Sequence, residues 1–193
     1  MIFANSITKE DIDLMPREVF EGRIVVVEND KQLDRAIKVL SSCPEIGFDT
    51  ETRPSFSKQT HYKTALMQLS TIDTCFLIRL NKFLKISPTL EQFIINENVK
   101  KIGLSLRDDF NGLNGIKRIA PGNFIDLQNY VCRFGIEELS LRKIYAILFG
   151  KKISKRDRLT NWEACQLTEA QKQYAALDAW SCLKIYKYLE SIR

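Results

Sequence analysis

The sequence predicts an α/β domain, a mixed β-sheet with helices packed on its faces. Two observations carry that reading: short β-branched or apolar runs at 24–28, 45–51, 65–71, 75–80, 101–106 and 123–128, and amphipathic stretches between and after them. Three consecutive strand-like runs followed by strand–helix alternation give a sheet with both parallel and antiparallel pairs. A length of 193 residues suits one domain with a sizeable core. No repeat or linker-like stretch divides the chain, so it reads as a leader (1–23) followed by a single domain (24–193).

The elements follow in order. IVVVE (24–28) is β-branched and reads as the first strand. Asp30 is placed to cap a helix over 31–41 that carries Leu33, Ala36, Ile37 and Leu40 on one face. EIGFDTE (45–51) is a strand. ALMQLST (65–71) and CFLIRL (75–80) are separated by three residues and predict an antiparallel hairpin. Pro88 suits a first helical turn, and the helix it opens extends to about Asn98. KIGLSL (101–106) is a strand, RDDFNGL (107–113) a short helix and NFIDLQ (123–128) a further strand. Helices are expected over 137–149 and 168–192, the second beginning with Thr168 and Gln171 in capping-box spacing.

Composition narrows the function classes. Hydrophobic residues make up 45% and charged residues 27%, as in ordinary globular chains. The longest unbroken apolar run is Ile144 to Phe149, too short to span a bilayer, so no membrane association is expected. The N-terminus lacks a basic start before an apolar stretch, so an intracellular, cytoplasmic location is expected. Five cysteines are spread without a CxxC pair, which excludes zinc ribbons and predicts buried, reduced thiols. A single histidine, His61, excludes any site built on two imidazoles. No glycine-rich phosphate cradle is present, which argues against a phosphatase or nucleotidase acting on small phosphates. The net charge of +5 is compatible with a polyanionic partner without identifying one.

The carboxylates carry the chemistry. In IGFDTE, strand alternation sends Ile46, Phe48 and Thr50 to one face and Gly47, Asp49 and Glu51 to the other. Asp49 and Glu51 therefore project together at the strand's C-terminal end, where open α/β sheets place their sites. In the last helix, Tyr174, Leu177, Asp178, Ser181, Ile185, Tyr188 and Leu189 form one stripe. An ionisable Asp178 within that stripe is costly unless it is paired or holds a metal. Tyr174 lies one turn earlier, so its hydroxyl and the carboxylate address one point. Asp109 stands where KIGLSL meets a helix; its neighbour Asp108 points about 100° away, and one of the two is free to cap that helix.

IGFDTE, ALMQLS, KKIGLSLRDDFNGL, FIDLQ and LTEAQKQYAALDAWSCLKIY together resemble the successive blocks of the 3′–5′ exonuclease domain. The branch they resemble is that of ribonuclease D and the Werner-type exonuclease, in the DEDD superfamily. The resemblance spans about residues 24–190. The last block has the tyrosine form, with Gln173 where the other branch has a histidine. The resemblance implies a ribonuclease H-like mixed sheet of about five strands, one antiparallel, and 3′–5′ exonuclease activity with two divalent cations, Mg²⁺ or Mn²⁺. It implies that Asp49, Glu51, Asp109 and Asp178 are the metal ligands. Asp49 would be shared between the ions, Glu51 and Asp178 would complete one, and Asp109 would support the other through water. Tyr174 would orient the attacking water; with a reference pKa near ~10 it is a poor base at neutral pH.

Candidate substrate contacts are Lys63, in the loop after the first motif with His61, and the basic run KKISKRDR, which contributes Lys151, Lys152, Lys155, Arg156 and Arg158. Phe56 and Trp162 are candidates for stacking on bases, Trp162 equally for the core. The expected partner is the 3′ end of single-stranded DNA or RNA. The chain ends at Arg193 without flanking helical domains, so a homo-oligomer or accessory protein is the expected source of processivity. The alternative reading is a non-catalytic nucleic-acid-binding module on the same fold, which would be marked by loss of a metal ligand.

Overall fold

Every apolar run anticipated as a strand contributes to one sheet. In a computed structural model of the chain, which describes residues 3–57, 59 and 61–193, the strands are β1 (Arg23–Val27), β2 (Glu45–Thr52), β3 (Thr64–Ser70), β4 (Thr74–Ile78), β5 (Lys100–Gly103) and β6 (Phe124–Asp126). Their spatial order is β1-β4-β3-β2-β5-β6. Only β3 runs antiparallel to its neighbours; the remaining pairs are parallel. The sheet has six strands rather than five because IVVVE extends its edge, pairing with β4 from Arg23↔Thr74 to Val27↔Ile78.

The helices are α1 (Lys9–Leu14), α2 (Asp30–Leu40), α3 (Pro88–Ile95), α4 (Leu106–Asn114), α5 (Leu127–Val131), α6 (Leu141–Phe149) and α7 (Glu169–Ser191). One face of the sheet is covered by α2, α3 and α4, which pack Leu33, Leu40, Phe93 and Leu113 onto Ile46, Phe48 and Leu69. The other is covered by α5, α6 and α7, which bring Leu127, Ile144, Ala176 and Leu183 against Leu66 and Leu77. With both faces covered, β3 is buried at every position, which is why its sequence is an almost continuous apolar run.

Several boundaries move for identifiable reasons. Asn29, not Asp30, caps α2, its Oδ1 accepting the Gln32 N–H at 3.0 Å. The helix opened by Pro88 stops at Ile95, and α6 begins at Leu141 because Ser140 supplies its cap. The strand expected over 101–106 ends at Gly103, since Ser105 turns into the left-handed region at φ 60°. Asp126 holds that turn: its carboxylate accepts the N–H groups of Ser105 and Leu106 at 3.0 and 2.9 Å. The same carboxylate accepts the Gln128 N–H at 2.9 Å and caps α5, so the strand expected over 123–128 also ends early. α7 starts with the anticipated capping box of Thr168 and Gln171.

The described part of the leader packs onto the domain, burying Ile12 and Phe20; its first two residues lie outside the described residues. Glu18 in the leader accepts hydrogen bonds from the Tyr145 hydroxyl at 2.5 Å and from the ammonium groups of Lys151 and Lys184 at 3.0 Å each. All five cysteines are free, but only Cys75 and Cys182 are buried; Cys43 is half-buried. Cys132 and Cys165 are exposed because they fall in the turns that follow α5 and precede α7. Among the described residues, no helix is long and apolar enough to cross a membrane.

Candidate active site

Strand alternation in β2 turns Ile46 and Phe48 into the core beneath α2–α4, leaving Gly47, Asp49 and Glu51 to face α7. Gly47 lets α7 approach: a Cβ at that position would stand 1.9 Å from the carbonyl oxygen of Ala179. With the helix resting on the strand, Asp178 comes to Asp49 and Glu51. Carboxylate oxygens of the three lie within 4.8 Å of one another. Glu51 and Asp178 are buried and Asp49 is half-buried.

Such crowding of acids away from water favours their neutral forms. Burial, then the charges of Asp178 and Asp109, pushes Glu51 up to about 9. Burial raises Asp178 to about 7 against the opposing influence of the Tyr174 hydroxyl and Lys155. Asp49 is raised as well, by burial and by the charges of Asp109, Asp178 and Glu51. Asp109 arrives from the first turn of α4 on the opposite layer, where Thr50 donates its hydroxyl to Oδ1 at 2.5 Å. It stands outside the group of three, half-buried, and burial raises it to about 7. Asp108 is exposed, and neither aspartate caps α4, a task that Asp126 performs.

Tyr174 is buried one turn before Asp178, its hydroxyl in hydrogen-bond reach of that carboxylate. Burial and the Asp178 charge raise the phenol, so it remains a protonated donor at neutral pH. Trp162 is fully buried with its ring 6.0 Å from that of Tyr174, and its Nε1 donates to the Arg158 carbonyl at 3.3 Å. Its place is in the core behind the tyrosine, so it is not a surface for stacking bases. Phe56 is 90% exposed, close to Arg53, whose guanidinium lies 4.6 Å from the centre of the Tyr62 ring.

Two residues of the site's surroundings escaped the sequence reading. Gln68 sits directly across from Asp49 in the β2–β3 register, is fully buried, and neither its amide nitrogen nor its oxygen has a partner among the described residues. A lone glutamine in an otherwise apolar strand was the available signal. Arg79, also buried, donates to Glu28 at 2.9 Å, to the Cys165 carbonyl at 2.7 Å and to the Ala164 carbonyl. It thereby holds the turn that leads into α7.

The donor set fits a hard divalent cation. It consists of carboxylates whose mutual repulsion a bound cation relieves without protonating them, and oxygen ligands favour Mg²⁺ or Mn²⁺. The unsatisfied amide of Gln68 beside Asp49 points the same way, since buried polar groups normally have partners.

The candidate substrate contacts divide. The Arg158 charge draws on Glu51 and the Lys155 charge on Asp178, while Arg156 is exposed on the same loop. Lys151 is paired with Glu18, and Lys152 donates to the Asp13 carbonyl at 2.5 Å. Lys63 and His61 line a separate cavity of about 360 Å³ with Asn81 and Phe83.

Comparison with known proteins covers nearly the whole chain. A family profile described as 3′–5′ exonuclease matches residues 24–192. A 3′–5′ exonuclease of Arabidopsis thaliana is 30% identical over 194 residues, covering 92% of this chain and 67% of that protein. The bifunctional 3′–5′ exonuclease/ATP-dependent helicase WRN of Mus musculus is 28% identical over 161 residues, 79% of this chain but 11% of that protein. The crystal structure of Escherichia coli RNase D superposes with a TM-score of 0.78 at 22% identity, covering 88% of this chain and 44% of that one.

Proposed function

This chain belongs to the 3′–5′ exonuclease family, and we propose that it hydrolyses the terminal phosphodiester bond at the 3′ end of single-stranded DNA or RNA. The observation that carries this reading is the meeting of Asp49 and Glu51 from β2 with Asp178 from α7, oxygens within 4.8 Å. We assign Asp49, Glu51 and Asp178, with Asp109 behind them, to holding two divalent cations, Mg²⁺ or Mn²⁺. When bound, the cations supply Lewis acidity to the scissile phosphate and to the attacking water.

The protein's own groups do the rest. Tyr174 keeps its proton, which it directs at Asp178, and its hydroxyl oxygen accepts from the attacking water and so orients it, a positioning that saves entropy at the reacting centre. Asp178 fixes the tyrosine from one side and Trp162 backs it from the other. Lys155 and Arg158 bring positive charge to the rim and attract the backbone as it enters. Water oxygen bonds to phosphorus and gives up its proton to solvent, the bond from phosphorus to the 3′ oxygen breaks and that oxygen takes up a proton from solvent, and a nucleoside 5′-monophosphate leaves. A non-catalytic module would lack one of the four carboxylates; all are present.

The test is digestion of single strands labelled at the 5′ or the 3′ end, with Mg²⁺ or Mn²⁺ and with EDTA. A 5′-labelled strand should shorten in a ladder from its 3′ end, and EDTA should stop it. Intact DNA and RNA with both cations present would refute the proposal.

A further inference from the structure

Away from the carboxylates, the leader, the first turn of α6 and the loop after α6 enclose a pocket of about 200 Å³. Four cations line it: Arg17, Arg142, Lys152 and Lys155, with Asp13 as the acid among them. Their proximity is imposed by backbone hydrogen bonds. The Glu18 N–H donates to the Lys152 carbonyl at 3.0 Å and the Lys152 N–H to the Pro16 carbonyl at 2.9 Å, which sets Arg17 against Lys152 in a parallel bridge. Asp13 is already engaged, its carboxylate with Arg142 and its carbonyl with Lys152.

Gathering like charges around a concavity is unfavourable unless an anion enters. Two details show the imbalance. The Nε of Arg142 is buried and has no partner among the described residues. Lys155 is lowered by burial and by the nearby charges of Arg158 and Arg142, with Asp178 acting in the opposite direction. Lys155 therefore lines the pocket and lies within electrostatic reach of Asp178 as well.

We propose that this pocket binds a backbone phosphate of the strand whose 3′ end lies at the carboxylate site, upstream of the scissile bond. The proposal rests on the nuclease reading and adds to it a second point of attachment, contributed by the leader, the first turn of α6 and the loop after it. An Arg guanidinium and a phosphate match in geometry as well as charge, and Asp13 already fixes Arg142 at the pocket wall. The pocket would thus separate long strands from short ones: a dinucleotide without a 5′ phosphate has no phosphate upstream of the scissile one to place there.

Arg17→Glu and Arg142→Gln test this, the first because Arg17 is exposed and its replacement leaves the fold's packing alone. On a twelve-nucleotide strand each variant should lower kcat/KM about tenfold, mainly through KM, and reduce the slope of log affinity against log salt by about one. Turnover of a dinucleotide should stay within about twofold of wild type. Equal losses on both substrates, or none on the longer, would overturn the proposal. Binding of the same twelve-nucleotide strand is followed in parallel by fluorescence anisotropy in EDTA, with inorganic phosphate as competitor. If the wild type cleaves nothing, the nuclease reading fails, and the anisotropy arm still decides the pocket. Weaker binding in the variants supports it and unchanged binding rejects it. Displacement of the strand by phosphate only at concentrations far above that of the strand is expected; equal competition would assign the pocket to free phosphate instead.

Discussion

At Asp178 a carboxylate sits in the buried stripe of a helix, beside two others on the facing strand, and its cost defines what the site needs. Carboxyl groups raised by burial favour the folded state when protonated. Their contribution is fully present below the unfolded value near ~4 and is lost as pH rises through the folded values, about 7 for Asp178 and Asp109 and about 9 for Glu51. In EDTA the melting temperature should therefore fall between about pH 5 and pH 9, and Asp178→Asn should flatten the fall. A profile identical in wild type and variant would remove the acids as its cause. Tyr174 acts as a donor rather than a base, so Tyr174→Phe should slow cleavage by about a hundredfold at most, and Asp178→Ala by more. Steady-state rates on one labelled strand compare them, and a larger loss at Tyr174 would shift the central role to the phenol. Asp49, Glu51 and Asp178 were legible in the sequence because alternation and helical spacing are local rules. Gln68 and Arg79 were not, because their significance lies in what they face: an acid on the neighbouring strand, and carbonyls 85 and 86 positions further along the chain.

Among the elements, β2 and α7 decide whether the acids meet. Their contact is backbone on backbone at Gly47, where a methyl group would collide with the Ala179 carbonyl. Gly47→Ala should lift α7 off the strand, destabilise the protein by about 1–3 kcal/mol and weaken Mn²⁺ binding at the same time. Urea denaturation gives the first quantity; wild-type stability in the variant would mean that the helix does not rest there. The strands and helices were largely readable from period and caps, including the capping box of α7. The early ends of the strands expected over 101–106 and 123–128 share one cause: Asp126 caps the starts of α4 and α5 with a single side chain, 20 residues beyond the turn it stabilises at Leu106, and no local pattern announces such a reach. The second aspartate of α4 was anticipated as a site residue; that Thr50 rather than a capping role holds it depends on packing across the sheet.

For the molecule as a whole, the two covered faces of the sheet contribute unequally to the site. The α7 side brings Asp178 and Tyr174, the α4 side brings Asp109, and β2 carries Asp49 and Glu51 between them at its C-terminal end. The net charge of +5 understates the potential there, since two bound divalent cations would add four positive charges where a phosphate backbone enters. The mixed sheet and its six strand-forming runs were expected, but the pairing of β1 with β4 at the edge and the packing of the leader were not, because edge pairing and the buried Glu18 cluster join segments distant in sequence. All of these features converge on one claim, that β2 and α7 build a carboxylate site for divalent cations. Titration of the metal-free protein with Mn²⁺, followed by the loss of the free-ion paramagnetic resonance signal, measures it directly. Two ions should bind per chain, and Asp49→Asn should abolish or greatly weaken their uptake in a protein that still melts cooperatively. Absence of Mn²⁺ uptake by the wild type, or undiminished uptake by the variant, would contradict the account.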